Sequence, residues 1–377
     1  MKIYSILFIF FPIILFSQMK IKGSVINEEG KGINAAKVYL DGSTFQVLTD
    51  TNGEFELDVP AHNYQLIVQK DLYESAFVSI LKNTNQKFKI TLYTEEIHLK
   101  EAVVSALNKE DRTYFLNQFK NLFLGRKSAA ELCKILNEDD LRISFRTEER
   151  ILKVSSKKPI LIQNQFLGYH VEYNLVHFEY DYSTGILSIL GSSNFKEMKG
   201  SDSKLKKWKL NRSNSYNGSV EHFMKSLYQN NLADEGFDVK RLVRKENPDY
   251  LKFKEEFENS LSRIKINKPI PPKIISYLIN QPVPIDSLVT EKNQLKYLNF
   301  NGLYSVEYLK GKEDVDYAKK NNKNGFKSNQ ISVFSIHETI QLFADGTYYH
   351  PENLLVEGYW SYKKMADLLP IDYILSQ

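Results

Sequence analysis

The sequence predicts a strand-rich α+β protein: an N-terminal seven-stranded β-sandwich, then a larger domain of antiparallel strands with a few helices. Three observations carry this. From Met19 short alternations of apolar and polar residues recur between turn residues, about seven of them in some eighty residues. Comparable alternations return beyond residue 141, interrupted by only a few stretches with helical spacing. The chain also carries 23 Tyr and 23 Phe, residue types that pack well on pleated surfaces.

Ahead of the first strand, Lys2 provides a short positive region and Ile6 to Phe16 form an apolar run of eleven residues. A membrane-spanning helix needs about 20 apolar residues, so this run suits a cleaved export signal better than an anchor. Residues 1–17 are therefore expected to be a signal peptide, cut between Ser17 and Gln18; the competing reading is a buried N-terminal element. No cysteine lies near the cut for a lipid to modify, and no later stretch approaches spanning length, so no transmembrane segment is expected after signal removal.

The sandwich is expected over residues 19–97. Ile21, Gly23 and Val25 alternate before a turn at Asn27 to Gly30. Lys37 to Leu40 and Phe45 to Leu48 lead to a second turn at Asp50-Thr-Asn-Gly53, and Phe55, Leu57 and Val59 alternate up to Pro60. Tyr64 to Val68 and Phe88 to Leu92 add two more strands. At the turns Gly30 and Gly53 supply backbone freedom, Asp50 can accept from turn amides, and Phe55 fills the interior.

These residues resemble a known pattern. Lys22-Gly-Ser-Val25, Gly30 to Val38 and Thr49-Asp-Thr-Asn-Gly-Glu-Phe55 are similar to the strand, turn and hairpin of the carboxypeptidase regulatory-like, transthyretin-related β-sandwich, with Ile33 where that family usually has Pro. The resemblance implies an attachment domain with no catalytic residues of its own, so it transfers architecture rather than activity.

Residues 98–140 are expected to be a linker and a helical hairpin: Leu99 to Val104 as strand or linker, then Tyr114, Phe115, Phe119, Leu122 and Phe123 on one helix face ending at Gly125. Ser128 would cap a second helix carrying Ala129, Leu132, Cys133 and Leu136. From 141 to 377 an antiparallel-strand-rich domain of unknown function follows. Leu141 to Phe145, Ile151 to Val154, Gly168 to Tyr180 and Ile186 to Leu190 form a meander, and Ser219 to Leu232 a helix. Prolines between Lys268 and Pro284 mark an extended connection. Hairpin strands follow at Leu295 to Leu309 and Ile331 to Phe343, with a solvated loop from Lys310 to Ser328 between them and a turn at Asp345-Gly346. Asn164 to Tyr169, Asn211 to Ser219, Glu357 to Trp360 and Leu368 to Tyr373 resemble blocks of uncharacterised regulatory-like-domain proteins of the Bacteroidetes type, a resemblance that implies no activity.

A net charge of +4 over 377 residues does not suit a nucleic-acid binder. His337-Glu338 is followed by Gln341, which breaks the His-Glu-x-x-His zinc spacing. Phosphate-loop, dinucleotide and Gly-x-Ser-x-Gly patterns do not occur. Acid pairs such as Glu172, Glu179 and Asp181 cannot be ranked among 46 acidic residues. Cys133, the single cysteine, reads as a packed thiol at helical spacing. No cofactor, metal or catalytic residue is expected.

Two clusters remain as candidate ligand contacts. Lys204 to Arg212 places five cations and Trp208 in nine residues, with Lys206, Lys207, Trp208 and Arg212 the contacts it offers to an anionic polymer or headgroup. The same run also reads as a solvated strand or lysine-protected edge with Trp208 and Leu210 turned inward on the alternate face. Tyr359 and Trp360 either line a sugar or peptide cleft or seal a core. The expected function is a noncatalytic exported envelope protein, periplasmic, outer-membrane-associated or secreted, binding a protein or cell-surface polymer. The alternatives are a hydrolase of envelope glycan or peptide, or an accessory partner of an outer-membrane transporter.

Overall fold

The computed structural model describes residues 18–61, 63–82, 87–94, 108–259, 269–321 and 328–375. The expected signal peptide and the strand or linker expected at Leu99 to Val104 lie outside them.

The first unit is the expected sandwich. Its strands are β1 (Gln18–Ile26), β2 (Lys37–Leu40), β3 (Gln46–Leu48), β4 (Glu54–Pro60), β5 (Tyr64–Gln69), β6 (Ala76–Ile80) and β7 (Lys87–Thr91). They form sheets ordered β4-β1-β7 and β3-β2-β5-β6 around one core that includes Ile21, Val25, Val38, Phe55, Leu66 and Val68. The β3–β4 turn is built as its residues dictate. Asp50 Oδ1 accepts from the amides of Asn52 and Glu54, both at 2.8 Å, and Gly53 takes φ of +79° with the Val25 carbonyl against it. Strand β6 is the one of the seven that the alternation does not locate, because the exposed Phe77 blurs it.

The second unit opens with α1 (Lys109–Leu124), whose first turn is capped by the Asn108 side chain and whose end is set by Gly125 at φ +86°. A short α2 (Lys127–Ala130) precedes β8 (Cys133–Ile135), β9 (Leu141–Arg146), β10 (Ile151–Ser156), β11 (Ile160–Asn164), β12 (Tyr169–Asp181) and β13 (Leu187–Glu197). Strand β12 is the spine: β13 pairs along one edge, while β11 and β10 share the other and carry β8 and β9 outside them. Helix α1 lies on this sheet with Phe119 4.8 Å from Phe178 and Phe123 5.3 Å from Tyr173. The helical hairpin is thus half realised. In place of the second helix, Cys133 to Ile135 pair with β11 and leave Leu132 and Leu136 exposed, because an edge position on the sheet outweighs local helical spacing.

The third unit comprises α3 (Asp202–Tyr216), α4 (Val220–Gln229), α5 (Leu232–Glu235), β14 (Phe237–Glu246), α6 (Pro248–Asn259), β15 (Ile274–Ile279), β16 (Val289–Lys292), β17 (Leu295–Leu298), β18 (Leu303–Lys312), α7 (Val315–Lys320), β19 (Asn329–Ile336), β20 (Ile340–Leu342), β21 (Leu354–Gly358) and α8 (Tyr359–Tyr362). Sheets ordered β15-β14-β18-β19-β21 and β16-β17-β20 close with α4 over a core of Phe223, Leu227, Phe334 and Trp360. Three local expectations change here. Lys204 to Arg212 lie in α3 rather than on a strand edge, and helical spacing turns Leu210 out to solvent while Trp208 is buried. The loop from Lys310 contains α7, capped by Asp314, and the proline-rich connection contains β15.

Candidate functional site

After α8 the chain runs through 3-10 turns and coil from Met365 to Leu375 and touches all three units. Asp367 is buried and accepts from Arg126 Nε at 3.1 Å, Arg126 Nη2 at 2.6 Å and Ser215 Oγ at 2.8 Å. The Ala366 carbonyl accepts from Asn164 Nδ2 at 3.0 Å. Ile371 donates its amide to Gly42 and packs on the sandwich core, and Asp372 accepts from the amide and hydroxyl of Thr44. Tyr373 lies beside Tyr216, with ring centroids 5.9 Å apart.

This segment forms one wall of a crevice of about 1160 Å³. Phe45, Val59 and Tyr64 of the sandwich form a second wall. The third is the N-terminal turn of α4 with the hairpin turn after β20. Local chemistry positions each of these. Ser219 Oγ caps α4 by accepting from the His222 amide at 3.1 Å, and Asp345 Oδ1 accepts from the amide and hydroxyl of Thr347. Gly346, at φ +95°, brings that turn so close to α4 that a Cβ would stand 2.4 Å from the Glu221 carbonyl oxygen.

The ionisable groups of the crevice are shaped by burial. Lys363 Nζ reaches the Ser215 carbonyl at 3.2 Å, and burial pushes its ammonium down to about 8 against the pull of Asp367. Burial also pushes Tyr216 up to about 12, with Glu221 adding to the effect. Tyr64 is raised chiefly by burial and secondarily by Asp345 and Asp372, while its hydroxyl donates to the Pro60 carbonyl at 2.9 Å. Next to the crevice, buried His222 is lowered by desolvation despite its contact with Glu235 at 3.1 Å. Cys133 lies elsewhere, and burial pushes its thiol up to about 12, away from nucleophilic use. Among the described residues no three His, Cys, Asp or Glu side chains converge as a metal site, and no helix is long and apolar enough to cross a membrane.

The six candidate contacts are not gathered at one place. Lys206 and Lys207 are exposed on α3. Trp208 points the other way, is 4% exposed and donates from Nε1 to the Gln165 carbonyl at 2.9 Å. Arg212 stacks 4.0 Å from the Tyr169 ring centroid, donates from Nε to the Leu167 carbonyl at 2.8 Å and pairs with Glu197 at 2.6 Å. Trp208 and Arg212 border a smaller groove of about 450 Å³ across the 370–374 segment from the crevice. Tyr359 is buried against Tyr317, whereas Trp360 reaches the crevice floor with its Nε1 donated to the Gly218 carbonyl at 2.8 Å. Asp367, Lys363 and Tyr64 were not singled out, because their environment comes from segments far apart in sequence; Leu368 to Tyr373 stood out only as a block.

Residues 21–104 match the family model of the CarboxypepD_reg-like domain. The N-terminal sandwich is a carboxypeptidase regulatory-like domain. The regulatory-like domain therefore supplies one wall of the crevice, and the remaining walls belong to the chain that follows it. No curated protein matches the chain. Among solved structures, 3-chlorocatechol 1,2-dioxygenase from Rhodococcus opacus aligns over 21% of this chain at 16% identity and a TM-score of 0.17; this chain spans 60% of that enzyme's length. A DUF3823 family protein from Bacteroides ovatus aligns over 50% of this chain and 83% of its own at 10% identity and a TM-score of 0.18. A protein of unknown function from Bacteroides fragilis aligns over 90% of this chain and 94% of its own at 11% identity and a TM-score of 0.17.

Proposed function

We propose that the chain is a noncatalytic exported protein of the cell envelope, a binding or assembly module that takes an extended segment of a protein or surface polymer into the crevice. The observation that carries this reading is the way the crevice is assembled. Apolar side chains from the regulatory-like domain, α4 and the C-terminal segment, among them Phe45, Val59, Val220 and Leu369, converge on one open space. Such a concave, partly apolar surface between structural units suits ligand capture. Of the five described carboxylates that line it, Asp367 and Asp372 are committed to Arg126, Ser215 and Thr44 and Asp345 accepts from Thr347, so these three hold the walls together. Export is supported by Lys2 and the apolar run Ile6 to Phe16.

The test is photocrosslinking in the native envelope from residues replacing Phe45 and Val220, with the exposed Glu148 as control. Discrete adducts from the first two positions and none from the third are expected, on a chain whose mature N-terminus is Gln18. Absence of adducts, or hydrolysis of a peptidoglycan or peptide panel by the purified chain, overturns the reading.

A further inference from the structure

The stretch between Val239 and Leu288 is built unlike the rest of the chain. Asn247 is the single buried residue among those described in it. Strand β14 pairs with β18 over Phe237 to Leu242 and with β15 over Arg241 to Glu246, so the β14–β15 ribbon overhangs the sheet and carries α6 beyond it. A two-stranded ribbon with no further layer is marginal in water.

The ribbon is nevertheless rich in apolar side chains. Strand β15, Ile-Ile-Ser-Tyr-Leu-Ile, has no charge, and on both of its faces it is exposed: Ile274 51%, Ile275 39%, Tyr277 44% and Leu278 44%. Its outer edge pairs with no described strand, and it lacks the lysine, proline or bulge that usually protects an edge; the prolines stand outside it, at 269, 271, 272 and 282.

We propose that β15 is a homodimerisation strand, pairing antiparallel with β15 of a second copy about a two-fold axis at Ser276. The register itself selects this partner. A two-fold axis normal to a sheet requires one residue to oppose itself. With Ser276 on the axis, Ile274 faces Leu278 and Ile275 faces Tyr277, so every apolar side chain of the four meets another and no like charges oppose. Joining the two edges also pairs the outward N–H and C=O groups of β15, which no described strand takes up. The interface is independent of the crevice and of what it binds.

The experiment uses the full chain as purified. Light scattering and sedimentation at micromolar concentration are expected to report twice the chain mass. Ser276→Arg, which sets two like charges on the axis, should raise the dimer dissociation constant at least about tenfold while circular dichroism stays unchanged. In a Cys133→Ser background, Ser276→Cys should form a covalent dimer on mild oxidation, because directly opposed residues lie within disulfide reach. Ser79→Cys, on the exposed edge strand β6, should not. A monomer at all concentrations, a dimer untouched by Ser276→Arg, or a Ser276→Cys variant that forms no covalent dimer would each overturn the proposal.

Discussion

Asp367 concentrates the constraints of the C-terminal segment in one carboxylate. Its side chain is 2% exposed, and two nitrogens of Arg126 and the Ser215 hydroxyl converge on it from parts of the chain 241 and 152 residues away. Breaking a buried pair from one side costs about 3–5 kcal/mol when the other charge is left without compensation; Asp314, 3.8 Å from Arg126, offsets part of this, so the lower end applies. Asp367→Ala should lose stability on that scale in urea unfolding, whereas Arg126→Met with Asp367→Leu should lose clearly less; equal losses would show that the charge pairing is incidental. None of this was legible in the sequence, where one Asp after Met-Ala looks like any other.

At the scale of elements, α3 shows how a composition cue can mislead about direction and still point to the right residues. Trp208, Asn211 and Arg212 recur at helical spacing, and their side chains donate to successive carbonyls of the turn before β12: Gln165, Phe166 and Leu167. Gly168 completes the fit, since a Cβ on it would stand 2.2 Å from the Trp208 ring and its φ is +75°. The lysines of the same run face water. Trp208→Ala should therefore cost about 3–5 kcal/mol by opening a cavity and freeing a carbonyl, while Lys206→Ser with Lys207→Ser should stay within about 0.5 kcal/mol. Thermal and denaturant unfolding of the two variants separate the packed face from the solvated one. The lysine-rich run hid the helix because local charge density resembles a protected edge and gives no sign of which neighbour the tryptophan meets.

Across the whole molecule, the regulatory-like domain docks through its β2–β3 turn on the β12–β13 edge. The Gly42 amide donates to the Ser193 carbonyl and the Phe195 amide to the Ser43 carbonyl, Lys37 pairs with Glu172 at 2.6 Å, and Asp41 Oδ1 accepts from the Ser193 amide at 2.8 Å. Burial pushes Asp41 up to about 6, although the Ser193 and Gly42 amides oppose the shift. With the folded value above the unfolded one near 3.8, the native state binds the proton more tightly. The stabilising contribution is thus full below pH 3.8 and is lost as pH rises through 6. Asp41→Asn, which keeps the acceptor and removes the charge, should be more stable than the natural chain by about 3 kcal/mol at pH 7.5 and nearly equal to it at pH 3.5. Denaturant melts at the two values check this, and a pH-independent difference would refute it.

By itself the sequence determined the features that rest on neighbours a few residues apart. These are the strand-rich class, six of the seven short strands and the Asp50–Gly53 turn of the sandwich, the Gly125 stop of α1 and the Asp345-Gly346 turn. Turn chemistry, capping and alternation are local, so they can be read in one dimension. Tertiary structure alone decided that Cys133 to Ile135 are strand, that Lys204 to Arg212 are helix, that Trp208 and Trp360 spend their N–H groups on carbonyls, and that residues 363–375 bind three units around a crevice. Each of those outcomes depends on which distant surface a segment meets, and burial and long-range pairing outweigh local propensity wherever the two disagree.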